Sequence, residues 1–298
     1  MTTVTLSLLT PLRDCRLVFV DVETTGAAPE LGDRVIEVGV VRVEGGEVRA
    51  MYSQLLDPQR AFSPAITALT GITPLMCCGQ PRFADVQDVV ARWLGAGESA
   101  LVVGHNVAFD VGFLRHEFRR SGGAAHLQLL APGLVIDTVR LARRQFGRGG
   151  NGLQSLARRF GVTSGGLEGD GHTAHRALPD ALTTFRVMAR LLEPLGGWSV
   201  TLADVLSAQG GVLRFDGGGR RSVLPLELEE ALEHRRPVEM EYVDQAGERS
   251  CRVITPIEIR KFRGELILLA WCALRQERRS FKLARVVRFS PVEADGAS

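Results

Sequence analysis

Leu17-Val18-Phe19-Val20-Asp21-Val22-Glu23-Thr24-Thr25-Gly26 is an apolar run that ends in two carboxylates and a Thr-Thr-Gly turn. Such a short run, bounded by a turn signal, reads as a strand. Side chains alternate along a strand, so Asp21 and Glu23 leave on the same face and enter one small volume. Like charges held that close repel unless a cation lies between them, and the pair reads as half of a hard-metal site. The bland alternative is a polar strand end running into a turn, because D-x-E by itself is a common pattern.

Two more acids strengthen the metal reading. Gly104-His105-Asn106-Val107-Ala108-Phe109-Asp110 follows the apolar run 100–103 and precedes Val111, Phe113, Leu114 and Phe118 at helical spacing, which places Asp110 near a helix start with Asn106 as its expected N-cap. In His175-Arg176-Ala177-Leu178-Pro179-Asp180, Pro179 suits a first helical turn, and Leu182, Phe185, Met188 and Leu192 continue an apolar stripe. Asp180 is thus a second first-turn acid. His175, in the preceding loop, can reach the same centre, or it is a solvent-exposed loop histidine.

The ordered set DVETTG at 21–26, GHNVAFD at 104–110 and HRALPD at 175–180 resembles the three motifs of the DEDDh (DnaQ-like) exonucleases. Leu69-Thr70-Gly71-Ile72-Thr73, Ile136-Asp137-Thr138 and Asn151-Gly152-Leu153 also look like that family, and the resemblance covers about residues 15–195. A related subfamily carries Tyr four residues before the last Asp. Arg176 stands there in this chain, with His175 one residue back, which points to the histidine type.

Cleaving a phosphodiester with water needs a nucleophile near neutral pH, charge neutralisation on the phosphoryl group and a stabilised leaving oxygen. Two divalent cations about 3.5–4 Å apart supply all three, and a carboxylate cage suits Mg²⁺ or Mn²⁺. The resemblance implies that Asp21, Glu23 and Asp180 hold the cation that binds the attacking water, and that Asp21 and Asp110 hold the one facing the leaving 3′ oxygen. It further implies that His175 is the general base, a role an imidazole titrating near pH 6.5 can fill. Family members cut from a free 3′ end and release nucleoside monophosphates. Thr24, Thr25 and Gly26 are implied contacts to the terminal nucleotide, with turn chemistry as their alternative. His105, Asn106 and Phe109 are further substrate-contact candidates, Phe109 reading also as core and His105 as a hydrogen-bonded wall. His172 is set aside as a metal ligand because an oxygen-rich cage does not need it.

The chain has 298 residues, 45% of them hydrophobic, enough for about two domains. No apolar run approaches the length of a membrane span, the first nine residues lack a secretory pattern, and a cytoplasmic protein with no membrane partner is expected. Five cysteines, none in a C-x-x-C pair, argue against structural disulfides and zinc. Net charge is only +2, so nucleic-acid affinity must come from local asymmetry. Between Thr138 and Leu167 there are six arginines and no acid, read as solvated helix faces ahead of a phosphate track. Between Arg249 and Arg288, nine Arg and two Lys face three Glu, a net +8.

Val35–Val43 and Val48–Leu56 flank Glu44-Gly45-Gly46-Glu47 as a hairpin behind the first strand, and strands and helices alternate to about residue 195. This implies a ribonuclease-H-like α/β fold over 1–195, its mixed sheet centred on the Asp21 strand. Glycines mark 196–220 as a linker, with a short helix expected at Thr201–Ser207. From 221 to 298 a helix at Glu227–His234 precedes strands near Val238–Val243, Arg252–Phe262, Glu265–Ala273 and Ser280–Phe289. Arg235-Arg236-Pro237, Thr255-Pro256-Ile257 and Ser280-Phe281-Lys282-Leu283-Ala284-Arg285-Val286 resemble a WYL domain, which implies a small Sm-like β-barrel. The eponymous Trp-Tyr-Leu is Leu266-Ile267-Leu268 here, and an expected acid before Arg285 is Ala284. Arg278, Arg279, Lys282 and Arg285 are its nucleic-acid-binding candidates, against a purely structural module.

The combined expectation is a 3′→5′ exonuclease that needs Mg²⁺ or Mn²⁺, two per active site, and acts on single-stranded DNA, with RNA 3′ ends the other substrate. A DNA polymerase or other repair protein is a possible partner. The rival readings are a non-catalytic nucleic-acid or ligand sensor dominated by the WYL-like part, and a proofreading subunit.

Overall fold

The computed structural model describes residues 7–130, 135–147, 149–163, 175–213, 226–244, 247–262 and 265–292. Nine-residue β1 (Arg16–Thr24) is the strand read from the opening stretch, and β2 (Val35–Glu44) and β3 (Glu47–Leu55) form the expected hairpin beside it. The rest of the first unit is α1 (Pro64–Thr70), α2 (Pro74–Cys77), α3 (Phe83–Trp93), β4 (Ala100–Gly104), α4 (Ala108–Arg120), β5 (Val135–Asp137), α5 (Thr138–Phe146), α6 (Leu153–Phe160), α7 (Ala177–Leu192) and α8 (Leu202–Ala208). The sheet order is β3-β2-β1-β4-β5, with β1 antiparallel to β2 and parallel to β4, so it is the expected mixed sheet.

Strand alternation in β1 divides the core in two. Val18, Val20 and Val22 pack with Phe83, Val90, Phe113 and Phe118 of α3 and α4. Leu17 and Phe19 pack on the other side with Leu141, Leu156, Ala181, Val187 and Met188 of α5, α6 and α7. Asp21 and Glu23 continue the odd-numbered face, toward α7, as the period-two rule requires. Helix α7 lies tight on the sheet because β2 has no side chain at Gly39, where a Cβ would fall 2.3 Å from the Ala177 carbonyl carbon.

The first unit runs on past residue 195. Val200, Leu202, Val205 and Leu206 join the α7-side core, and Gln209 donates to the Val135 carbonyl while accepting from the Asp137 N–H. The short helix expected in the linker is therefore α8, packed on the sheet rather than free. The Gly-rich stretch 216–219 lies outside the described residues.

The second unit holds α9 (Leu226–His234), β6 (Val238–Val243), β7 (Arg249–Phe262), β8 (Glu265–Cys272), β9 (Glu277–Lys282) and β10 (Val286–Pro291). The strand read as Ser280–Phe289 is two strands, broken by the 3₁₀ turn Leu283–Arg285. All pairings are antiparallel in the order β10-β6-β7-β8-β9. This corrects the expected Sm-like barrel. Although consecutive in sequence, β9 and β10 sit at opposite edges, and among the described residues nothing closes the sheet. Instead, Leu228 and Ala231 of α9 pack with Met240, Ile254, Leu268, Phe281 and Phe289. The helix buries the apolar face, so covering it does not require closure. Among the described residues, no helix is long and apolar enough to cross a membrane.

Candidate metal centre

β1 delivers Asp21 and Glu23, and the first turn of α7 delivers Asp180. One carboxylate oxygen from each lies within 4.8 Å of the others. At that spacing and an effective dielectric of about 20, each pair of ionised carboxylates repels by roughly 3.5 kcal/mol. Asp110, buried in the first turn of α4, accepts a 3.0 Å hydrogen bond from the Val22 N–H, which ties it to the strand between the two other acids.

The proton affinities record this crowding. Asp21 is pushed well above the ordinary carboxylate range, first by burial and then by Asp110, Asp180 and Glu23. Asp110 is raised by burial, against the opposing pull of the Val22 N–H. Glu23 rises to about 8, chiefly by burial, with His175 opposing and Asp180, Glu37 and Asp110 adding to it. Carboxylates in this state are poor anions without a counter-charge, and their oxygens form the hard donor set that Mg²⁺ and Mn²⁺ take. The residues fit a divalent cation on chemistry alone.

His175 stands at the rim. Its Nδ1 is 3.2 Å from Asp180 Oδ2, and its side chain is 42% exposed. Its pKa is raised to about 9, first by the Asp180 hydrogen bond and then, against burial, by the charges of Asp180, Glu23 and Glu227. The other Asp180 oxygen accepts from Gln154 Nε2 of α6 at 3.1 Å.

The remaining sequence candidates separate. Thr24 Oγ1 donates to the Gly26 carbonyl, and Thr25 Oγ1 donates to Asp33 Oδ1 while accepting from the Arg34 N–H. Both hydroxyls are thus engaged within their own loop, and a Cβ on Gly26 would strike Asp33. His105 Nδ1 lies 2.9 Å from Thr138 Oγ1, whose hydroxyl also donates to the Gly104 carbonyl. Burial lowers its pKa to about 4, so it is a neutral wall residue. Phe109 stacks at a tilt on Phe113, 4.9 Å between centroids, and is half-buried. Asn106 is not the cap of α4: it adopts φ +61°, its N–H donates to Asp137 Oδ1, and Val107 holds the N-cap position. A left-handed Asn here turns the chain from β4 into α4, the conformation that residue type tolerates best after Gly. Arg278 and Arg279 are exposed on β9, Arg279 paired with Glu277, and Arg278 sits directly across from the exposed Trp271. Lys282 and Arg285 are half-buried. His172 lies outside the described residues.

Sequence reasoning missed the clamp beneath the site. Glu37 of β2 is 1% exposed and accepts from Arg176 Nε at 2.9 Å, from Arg176 Nη2 at 2.6 Å and from the Ala177 N–H at 3.0 Å. This bidentate pair fixes the chain where His175 gives way to α7. A lone acid inside Val35-Ile36-Glu37-Val38-Gly39-Val40-Val41 is the signal that points to it, because a charge in a fully buried strand must have a partner.

Comparison with known proteins agrees with this geometry. The WYL domain family matches residues 225–291. A Mycobacterium tuberculosis (strain CDC 1551 / Oshkosh) protein, whose name carries a provisional bifunctional exonuclease/endonuclease assignment, is 34% identical over 87% of this chain and 40% of its own length. The 3′-5′ exonuclease DinG of Bacillus subtilis (strain 168) is 33% identical over 60% of the chain and 18% of its own length. A PolC-type DNA polymerase III of Thermotoga maritima is 31% identical over 63% and 13%, so the chain spans less than half the length of each of these relatives. Among solved structures, an Escherichia coli ExoI–ssDNA complex in its zinc-bound form superposes with a TM-score of 0.52 at 18% identity, over 86% of this chain and 54% of that one, which shows a shared fold. The family described as Exonuclease, RNase_T, matches residues 18–188, more than half of the chain and all five motif positions, and the chain belongs to that family of enzymes.

Proposed function

We propose that the protein is a metal-dependent 3′→5′ exonuclease that hydrolyses single-stranded nucleic acid, DNA ahead of RNA, to nucleoside monophosphates. The observation that carries this reading is the meeting of Asp21, Glu23 and Asp180 within 4.8 Å, with Asp110 tied to the same strand and His175 on Asp180. Asp21, Glu23 and Asp180 would hold one Mg²⁺ or Mn²⁺, and Asp21 with Asp110 a second. When bound, the ions supply a nucleophilic hydroxide near neutral pH and neutralise phosphoryl charge.

The chain's own residues do the rest. Glu37 and Arg176 hold the start of α7, and Gln154 orients Asp180. His175 takes the proton of the attacking water. The hydrogen bond to Asp180 raises the His175 pKa. A divalent cation held by Asp180 would offset the carboxylate charge behind that rise and so favour the neutral imidazole that can accept a proton. The name of the PolC-type DNA polymerase III relative supports DNA as the substrate and favours a polymerase partner as a second reading. A non-catalytic sensor would have no need for His175 beside the cage. Arg278, Arg279, Lys282 and Arg285 would add phosphate contacts, and the exposed Trp271 across from Arg278 supports that role.

The test is degradation of 5′-labelled DNA and RNA oligonucleotides with Mg²⁺ or Mn²⁺. A ladder shortening from the 3′ end, faster on DNA, is expected. It should vanish in Asp21→Ala and slow in His175→Ala, with Mn²⁺ binding kept in the latter. Undiminished turnover by Asp21→Ala removes the metal reading, and lost Mn²⁺ affinity in His175→Ala makes that residue a ligand instead.

A further inference from the structure

The C-terminal sheet and the hydrolytic site share one helix. On α1, Ala65, Ala68 and Leu69 pack with Val243 at the end of β6 and Val287 of β10, and Ala65, Val243 and Val287 are each less than a tenth exposed. This is a buried apolar contact between the two units.

The far side of the same helix reaches His175. The Leu69 carbonyl, one of the end acceptors that a helix cannot satisfy internally, takes the His175 backbone N–H at 3.0 Å. On the other side of His175, Arg176 is gripped by Glu37. The imidazole has Asp180 as a side-chain partner and is 42% exposed, and among the described residues these two contacts anchor the backbone on either side of it. One anchor belongs to the central sheet. The other is carried by a helix whose apolar face is covered by the C-terminal unit.

A second contact runs through α9. Leu228 and Ala231 seat that helix in the C-terminal core. Its first turn aims Glu227 at Gly152, where Oε1 would lie 2.6 Å from a Cβ. Gly152 is the N-cap of α6, and α6 supplies the Gln154 bond to Asp180. The C-terminal unit therefore touches the structural support of both members of the His175–Asp180 pair.

We propose that the C-terminal domain is a positioning element of the hydrolytic site: by packing on α1 it fixes, through the Leu69 carbonyl, where the His175 imidazole stands. This rests on the reading of His175 as the general base. Neither α1 nor the sheet touches the reacting atoms. Their effect is on kcat, through a misplacement of a kind that can cost up to about a hundredfold.

The full-length chain tests it with two substitutions in the same contact. Val287→Asp places an unpaired carboxylate in the apolar seam, and Ala65→Leu overpacks it. Circular dichroism and melting select the variant that keeps its fold. Steady-state kinetics on a single-stranded dT oligonucleotide with Mn²⁺, and Mn²⁺ affinity by calorimetry, are then measured in the wild-type and His175→Ala backgrounds. kcat should fall about tenfold or more with KM and Mn²⁺ affinity held within about twofold, and the loss should disappear in the His175→Ala background. Wild-type kcat in the folded variant, or a loss that multiplies with that of His175→Ala, overturns the proposal. If His175→Ala alone leaves kcat unchanged, the general-base reading has failed instead, which the same experiment reveals separately.

Discussion

Loading the carboxylate cage with a divalent ion should expel protons, and the number can be worked from the site. Glu23 titrates at about 8 in the metal-free protein. At pH 7 that carboxyl is mostly protonated, and a cation that takes it as a ligand must displace its proton. Asp21 and Asp110, raised in the same direction, add to the release. Because the acids titrate as a coupled set, the count belongs to the cage and not to one residue. The sign for stability follows from the same shift. Glu23 moves upward from 4.5, so its contribution to the metal-free fold is complete below pH 4.5 and is lost as pH rises through about 8. Apparent metal affinity runs the other way, rising with pH through about 8. The assay is titration calorimetry of Mn²⁺ into the metal-free chain at pH 7, in two buffers of different ionisation enthalpy, where the slope of heat against that enthalpy counts protons. Glu23→Gln, which removes one of the titrating acids from the cage, should reduce the count. A wild-type slope of zero between pH 6.5 and 7.5 would refute the reasoning, since it would mean the carboxylates were already ionised and had no need of a counter-charge.

Three further outcomes are expected. Arg176→Ala leaves Glu37 buried without its guanidinium and should cost about 3 kcal/mol or more in chemical denaturation; an unchanged midpoint would show that the clamp is dispensable. Gly39→Ala drives a Cβ into the Ala177–Leu178 backbone, so α7 must shift; a loss of up to about 3 kcal/mol together with a fall in hydrolysis is expected, and a variant with wild-type melting and rate would contradict the close approach. Arg278→Glu with Arg279→Glu should weaken binding of single-stranded DNA and flatten the log–log salt dependence by about 1.4 units, as measured by anisotropy; an unaltered slope would leave β9 without a phosphate-binding role.

The acidic cluster was legible because each part is set by short-range rules. Strand period fixes Asp21 and Glu23 on one face, first-turn helix signals place Asp110 and Asp180, and the apolar β1 announces the central strand. The β2–β3 hairpin was equally clear from its glycine turn. Where a residue's role depends on a distant chain segment, the local pattern was silent or misleading. Asn106 reads as a cap by residue type, yet Asp137 draws its N–H and the backbone turns left-handed. Thr24 and Thr25 read either as contacts to the terminal nucleotide or as turn chemistry, and only the folded loop shows that their hydroxyls bond Gly26, Asp33 and Arg34.

The amino-acid order alone thus determined on which elements Asp21, Glu23, Asp110 and Asp180 stand, because periodicity and turn chemistry act over a few residues. Tertiary structure alone decided that the C-terminal strands stay an open sheet roofed by α9, that Glu37 grips Arg176 across 139 positions, and that α1 joins the sheet of β6 and β10 to the backbone of His175. An alternating pattern specifies which face of a strand is buried. What buries it is settled only when the chain closes over long distances and each buried charge and carbonyl finds a partner.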